Sequence, residues 1–309
     1  MFCITRKDLS MEEKIKVGFC VAYDWYLLRH ALPCVYQYAD IICLSLDVNR
    51  ISWSGNSYPF DEIEFFKLVK QLDNKNKVII LADDYHLTNL SPMENEVRQR
   101  NHIAKKMGAG GWHIQLDCDE YFVDFGSFVK YLHRVPSYSG TKLNVCCPLL
   151  VLFKKVEQGF LYVNPVDLKR IEYIQIATQE PHYEYGRRNG NFNIYTNSLI
   201  VHQSWARDAH EVREKILNWG HSNDFDREKY FLFWMNLNKT NFMNESDFHW
   251  LKPEAWPKLT YFAANSIEEL LSKSGSLDFP KVSSLSLLFK NSKTISRLKK
   301  LSKLLFSNP

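Results

Sequence analysis

The sequence predicts an α/β fold built on a mostly parallel sheet, and three observations predict it. Short apolar, β-rich runs alternate with helix-patterned stretches from Ile15 onward. The first four of these runs each lead into aspartate: Asp24, Asp47, Asp83 with Asp84, and Asp117 with Asp119. No run approaches the ~18 uninterrupted apolar residues that a membrane span needs. Alternation at this pace marks strand–helix–strand units, whose right-handed crossovers bring the strand C-termini to one edge. Ligands of open α/β sheets bind beyond that edge.

The elements follow in order. Ile15 to Ala22 (IKVGFCVA) form the first predicted strand, and Tyr23 and Asp24 open a helical stretch, WYLLRHALPCVYQYA, that Pro33 is expected to kink. IICLSL is the second strand, ending at Asp47, and Phe60 to Leu72 have helical spacing. Lys77 to Ala82 make the third strand, and Glu94 to Met107 a helix closed by Gly108, Gly110 and Gly111. The fourth strand, with Trp112, Ile114 and Leu116, runs into Asp117, Asp119 and Glu120. Phe125 to His133 read as a helix, and Asn144 to Phe153 as a strand in which Pro148 marks an edge or bulge.

Beyond it the pattern weakens. Phe160 to Thr178 cannot be placed, and Gly186 to Ile200 predict a hairpin turning at Asn189 to Asn191. Asp208 is positioned to cap a helix carrying Val212, Ile216, Leu217 and Trp219 and ended by Gly220, with His202 before it and His221 after it. Tyr230 to Trp256 is rich in aromatics and reads as a lid, an acceptor platform or a wrap over the helices. Ser266 to Ser272 is a short amphipathic helix.

Composition narrows the function. The 309 residues are 45% hydrophobic and 24% charged, ordinary for a globular protein, and the 14% aromatics are high. The net charge of +4 misleads, because seven basic residues and no acidic one lie between Lys281 and Pro309, which leaves the rest mildly acidic. A nucleic-acid partner is therefore not expected. The tail interleaves its lysines with Leu285, Leu288, Phe289, Ile295, Leu298 and Leu301. It reads either as a helix on an anionic membrane face or as a terminal helix packed on the body. The seven cysteines are odd in number, lack zinc-type spacing and mostly lie in apolar runs, the pattern of reduced core residues in a cytoplasmic protein. The N-terminus has no signal-peptide-like apolar stretch.

The chemistry gathers at Asp117, Asp119 and Glu120. Carboxylates ~4 Å apart repel by about 4 kcal/mol per pair at an effective dielectric near 20. A hard divalent cation turns that repulsion into coordination, and the alternative is a solvated acidic turn. There is no GxGxxG after the first strand and no P-loop, so a nucleotide here would be held through a metal and side chains.

The run RQRNHIAKKMGAGGWHIQLDCDEYF resembles the helix-then-DxD passage of GT-A glycosyltransferases, the family-2 type that decorates bacterial surface glycans. VHQSW…EVREKILNWGHS is similar to a passage of the group related to bisecting N-acetylglucosaminyltransferases. The resemblance implies a GT-A domain over residues 1–262, with a basic helical tail over 263–309. It implies transfer of a sugar from a nucleotide-diphosphate sugar to a glycan or lipid-linked acceptor, in polysaccharide or glycoconjugate synthesis, by a cytoplasmic or peripheral membrane enzyme. Asp117 and Asp119 would form the DxD motif, with Asp119 a direct ligand of Mn²⁺ or Mg²⁺ and His202 and His221 near the metal. Donor contacts would come from Tyr23 and Asp24, where the family usually has Asn-Glu, and from Asp47 near the base or ribose. Asp83 and Asp84 join them at the same edge, with Arg98 and the pair Arg100–Asn101 beside the leaving group. An inverting course needs a carboxylate base, and Glu180, Glu184 and Glu120 are the candidates. Many relatives carry His-Glu where this chain has His202-Gln203.

Two rival readings use the same residues. A haloacid-dehalogenase-type phosphatase wants Thr or Val where Tyr121 stands, and wants its motif on the first strand. A sugar-binding protein without catalysis would have no need of an intact acidic edge.

Overall fold

A computed structural model of the chain describes residues 13–135, 142–218 and 225–296. Strands β1 (Ile15–Val21), β2 (Ile41–Asp47), β3 (Val78–Asp83) and β4 (Trp112–Asp117) lie in the order β3-β2-β1-β4, and all three pairings are parallel. Their C-terminal ends therefore share one edge, as the alternation predicts.

Side chains alternate across a strand, so β1 serves two layers. Ile15, Val17, Phe19 and Val21 enter the main core together with Leu28, Ala31, Leu32 and Val35 of α1 (Leu28–Tyr36) and Phe65 and Val69 of α2 (Glu62–Leu72). Cys20 faces the opposite way, in a smaller cluster with Cys43 and with Ile103 and Met107 of α3 (Pro92–Met107). Gly18 also points at α3, where an added Cβ would collide with Ile103 Cγ2. The missing side chain is what lets α3 lie close to the sheet. α1 continues from a 3₁₀ turn at Trp25–Leu27 and holds Pro33 inside it. A reciprocal cap fixes the start of α3: Ser91 accepts from the Glu94 amide, Glu94 accepts from the Ser91 amide, and Pro92 opens the helix.

After β4 come β5 (Glu120–Phe122) and α4 (Phe125–Leu132), then the 14-residue β6 (Leu143–Val156). The stretch that the sequence leaves unassigned holds β7 (Gly159–Asn164) and β8 (Tyr173–Thr178). β8 pairs antiparallel with both β4 and β6, and β7 and β11 (Lys258–Ala263) extend the sheet in the order β11-β7-β6-β8-β4. The expected hairpin is absent. β9 (Phe192–Tyr195) and β10 (Ile200–His202) both run parallel to β6, one pairing with Leu143–Cys146 and the other with Leu149–Val151. Pro148 lies between those two stretches, where its lack of an N–H interrupts neither ladder. The tight turn comes earlier, at Gly186 and Arg187, closed by the Tyr185–Arg188 bridge.

Asp208 does cap α5 (Ala209–Asn218), exchanging hydrogen bonds with Glu211, while Gly220 and His221 lie outside the described residues. The aromatic segment, including α6 (Arg227–Asn236), is a wrap. Phe153 of β6 has the rings of Trp205, Tyr230, Phe233, Phe248 and Trp256 around it, at centroid distances of 5.0–6.4 Å.

The described part of the tail is packed on the body. Ile267 and Leu270 of α7 (Ile267–Ser272) belong to the main core. Past α8 (Ser284–Lys290), Asn291 bonds the backbone of Tyr195 in both directions, at 2.7 and 2.9 Å. Residues 297–309, with Arg297, Lys299, Lys300 and Lys303, lie outside the described residues. Among the described residues no helix is long and apolar enough to cross a membrane, and the six described cysteines are free thiols.

Candidate active site

A cavity of about 650 Å³ opens at the C-terminal edge of β1, β2 and β4, of the size that small-molecule sites have. One wall is aromatic: Tyr23 after β1, Trp53 and Tyr58 from the loop after β2, and Tyr85 after β3. The opposite wall holds Glu172, Tyr173 and Gln175 at the start of β8, with Asn193 and Tyr195 of β9. Between them the floor carries Asp24, Asp117, Asp119, Arg187, His202 and Lys215.

Two neighbouring ion networks make this floor. Asp119, only 2% exposed, accepts on one oxygen, Oδ2, from Arg207 Nη2 at 2.5 Å, Lys215 Nζ at 3.1 Å and His202 Nε2 at 3.2 Å. Arg207 also reaches Asp24 Oδ2 at 2.9 Å. The second network starts at Asp117, whose oxygens take Arg100 and Arg187, each at 2.8 Å. Arg187 continues to Glu120 at 2.6 Å and Arg100 to Glu96 at 2.9 Å.

Desolvation pushes the Asp119 carboxyl up, but Lys215, His202 and Arg207 together hold it well below the usual carboxylate range. Asp117 experiences the same contest against Arg100 and Arg187 and ends at about 2. Asp24 goes the other way, because its burial outweighs Arg207. Glu172, at the cleft wall, keeps an exposed surface, yet the atoms crowding its carboxyl raise it by desolvation, against the pull of His202 and Arg188.

Tyr23, Asp24, Asp47, Asp117, Asp119 and His202 are thus brought to the cleft as the sequence predicts. Asp47, however, is already committed to the fold. Its carboxylate accepts from the amides of Asn49, Ile51 and Tyr85 at 2.7–3.1 Å, which shapes the loop after β2. Arg100 and Glu120 lie behind the floor as ion partners and do not line the cavity.

The other predicted residues fall outside the cavity lining. Asp83 and Asp84 end the edge strand β3, where Asp83 pairs with His102 at 3.0 Å and the Asp84 carbonyl accepts from Arg98. Arg98 lies over the Tyr85 ring. Asn101 exchanges two 3.0 Å hydrogen bonds with the Tyr183 backbone and so anchors the loop that delivers Arg187. Glu180 is exposed and 3.9 Å from Lys142, and Glu184 is exposed in the tight turn. Neither lines the cleft: β8 runs antiparallel to β4, so Glu180 after its C-terminal end lies away from Asp117, and Glu184 stays outside the lining although Tyr185 to Arg188 of the returning loop enter it. The same geometry brings the other end of β8, and so Glu172, to the cleft. His221 is outside the described residues.

The donor set does not fit the Mn²⁺ or Mg²⁺ that the resemblance implies. Among the described residues no three His, Cys, Asp or Glu side chains converge to hold a metal. Five carboxylates (Asp24, Glu96, Asp117, Asp119, Glu120) already face four fixed cations (Arg100, Arg187, Arg207, Lys215).

No family model matches the chain, and no curated protein does. Among solved structures, it is similar to a mannosyltransferase from Pyrobaculum calidifontis in complex with GDP-Man and Mn²⁺. The identity is 9% and the TM-score 0.41, covering 97% of this chain and 89% of that one. A UDP-glucose pyrophosphorylase complexed with UDP-glucose matches at 7% identity and TM-score 0.27, over 85% of this chain and 98% of that one. A mannose-1-phosphate geranyltransferase from Thermus thermophilus matches at 7% identity and TM-score 0.24, over 82% and 76% of the two chains. Likenesses this distant leave function to the chemistry of the cleft.

Proposed function

We propose that the chain is a glycosyltransferase that moves a sugar from a nucleoside-diphosphate sugar to a hydroxyl of a glycan or lipid-linked acceptor. The observation that carries this reading is one cavity at the strand edge combining an aromatic wall, a floor with Arg187, His202 and Lys215, and a carboxylate opposite. In this reading Tyr23, Trp53 and Tyr58 stack on the nucleobase. The floor cations meet the diphosphate and stabilise the charge that grows on it as it leaves.

Glu172 is the base in this scheme, replacing Glu180, Glu184 and Glu120. Its carboxylate takes the proton of the acceptor hydroxyl. The acceptor oxygen bonds to the sugar C1, and the C1–O bond to phosphate breaks with its electron pair on the departing diphosphate. A carboxyl raised by desolvation is the better base near neutral pH. Tyr173, Gln175, Asn193 and Tyr195 line the remaining space and would receive the acceptor.

The described tail supports a lipid-linked acceptor. Lys290 of α8 packs over Tyr173 and Tyr195 at 4.0 and 3.8 Å, while Leu285, Leu288 and Phe289 are 52–69% exposed beside that wall. An anionic membrane contacted there would present its acceptor to the cleft.

The test is thermal shift and nucleotide release with UDP-, GDP- and CMP-sugars, each with and without an acceptor extract. Stabilisation by one nucleotide class and acceptor-dependent release of its nucleotide support the reading. Stabilisation by free sugar alone would favour the binding protein, and release of inorganic phosphate from phosphomonoesters would favour the phosphatase.

A further inference from the structure

We infer that the side-chain cations of this cleft, Lys215 foremost, do the work of a divalent metal, so that a nucleoside diphosphate binds with no metal ion. The inference rests on the proposed transferase reading and deepens it. Lys215 reaches from α5 to within 3.1 Å of Asp119 Oδ2 and lines the cavity at the same time. It thus occupies the place where the resemblance puts a metal, at the carboxylate of the second DxD aspartate, and it presents positive charge to the ligand.

The neighbouring Arg187 guanidinium carries the second, independent observation. Arg187 lines the cavity, and its Nη1 is buried with no hydrogen-bond partner, although Nη2 is held by Asp117 and Glu120. Arg207 does not line the cavity; its Nη2 binds Asp24 and Asp119 and so holds the floor from behind. Buried N–H donors without acceptors are rare and costly, and charged ones more so. Arg187, which lines the cleft, calls for an anion with several acceptor oxygens, which a diphosphate supplies, while Arg207 lies fully buried behind it. The carboxylates then act as positioning groups that hold the cations at fixed places.

The experiment is calorimetric titration of the full chain with UDP and GDP, in excess EDTA and in excess MnCl₂. The expected result is the same affinity in both buffers within about twofold for the nucleotide that binds. Lys215→Met should bind at least about tenfold more weakly in both, as loss of a charge-assisted contact implies. Lys215→Arg, which keeps the charge, should recover most of that loss and guards against a folding artefact. Binding that appears only with Mn²⁺, or that strengthens more than about tenfold with it, overturns the inference and leaves the transferase reading standing. So does Lys215→Met binding like the parent. Absence of binding by either nucleotide in both buffers sinks the transferase reading, and the inference with it.

Discussion

Lys215 Nζ lies 3.1 Å from Asp119 Oδ2 and joins α5 to the end of β4 across 96 residues of sequence. Arg207 reaches the same oxygen from the turn before α5, so one carboxylate gathers two cations of a later segment. Asp119 therefore serves the fold as well as the cleft.

Asp119→Ala leaves Arg207 and Lys215 buried without this counter-charge. Breaking a buried ion pair from one side costs about 3–5 kcal/mol, and the urea midpoint should fall accordingly. An unchanged midpoint would show that the network carries no structural load.

Arg100 is 1% exposed and holds both Glu96 and Asp117. Arg100→Met keeps the length but leaves Glu96 without its cation and Asp117 with Arg187 alone, at a cost again of about 3–5 kcal/mol. Asp117 should then lose part of its depression, which a carboxyl titration followed by NMR would read.

Acid should unfold the chain through this floor. Asp117 and Asp119 have folded-state pKa values below their unfolded ones, so their stabilisation is complete above ~pH 4 and is lost as pH falls through the folded values, to about 2 for Asp117. Asp24, raised by burial, acts in the opposite sense and offsets part of this. Melting temperature followed from pH 7 to 2 should hold to near pH 4 and then drop, and Asp117→Asn should make the drop shallower.

Glu172→Gln should lower kcat by about 10²–10⁴ with little effect on nucleotide affinity. Because its pKa is raised from 4.5, the acid limb of the parent's rate profile should lie above that value and disappear in the variant. Equal turnover by both proteins would remove Glu172 from the chemistry.

Two glycines test the packing around β4. Gly111 has φ +72° and faces the Lys14 carbonyl, where a Cβ would collide, and Gly18 faces Ile103. Gly111→Ala and Gly18→Val should each cost about 1–3 kcal/mol in chemical denaturation. Gly110→Ala has no neighbour within reach of its Cβ and should show only the strain of its φ of +74°.

The first half of the fold was legible because its signals are local. β1, β2 and β4 are apolar runs buried on both faces, β3 is an apolar run at the edge, and α3 shows in the helical stretch from Glu94 to Met107 and the glycines that close it. The second half misled because its pairings are not local. β9 and β10 look like the arms of a hairpin, yet each finds a parallel partner in β6, some 50 residues earlier. Glu172 was not among the candidates, because it lies in the stretch that the sequence leaves unassigned, and only the direction of β8 brings it to the cleft and carries Glu180 away.

By itself the sequence determined the α/β class, the acidic edge and the residues at its centre, Asp24, Asp117, Asp119 and His202, since strand pattern and motif spacing are written over a few neighbouring positions. Tertiary structure alone decided what faces those acids. Arg187, Arg207 and Lys215 arrive from 70 to 96 residues away, as |i−j| in the chain, and a charge has no periodicity that foretells its partner. Only the folded geometry turns a cluster of carboxylates that asks for a metal into one already answered by cations.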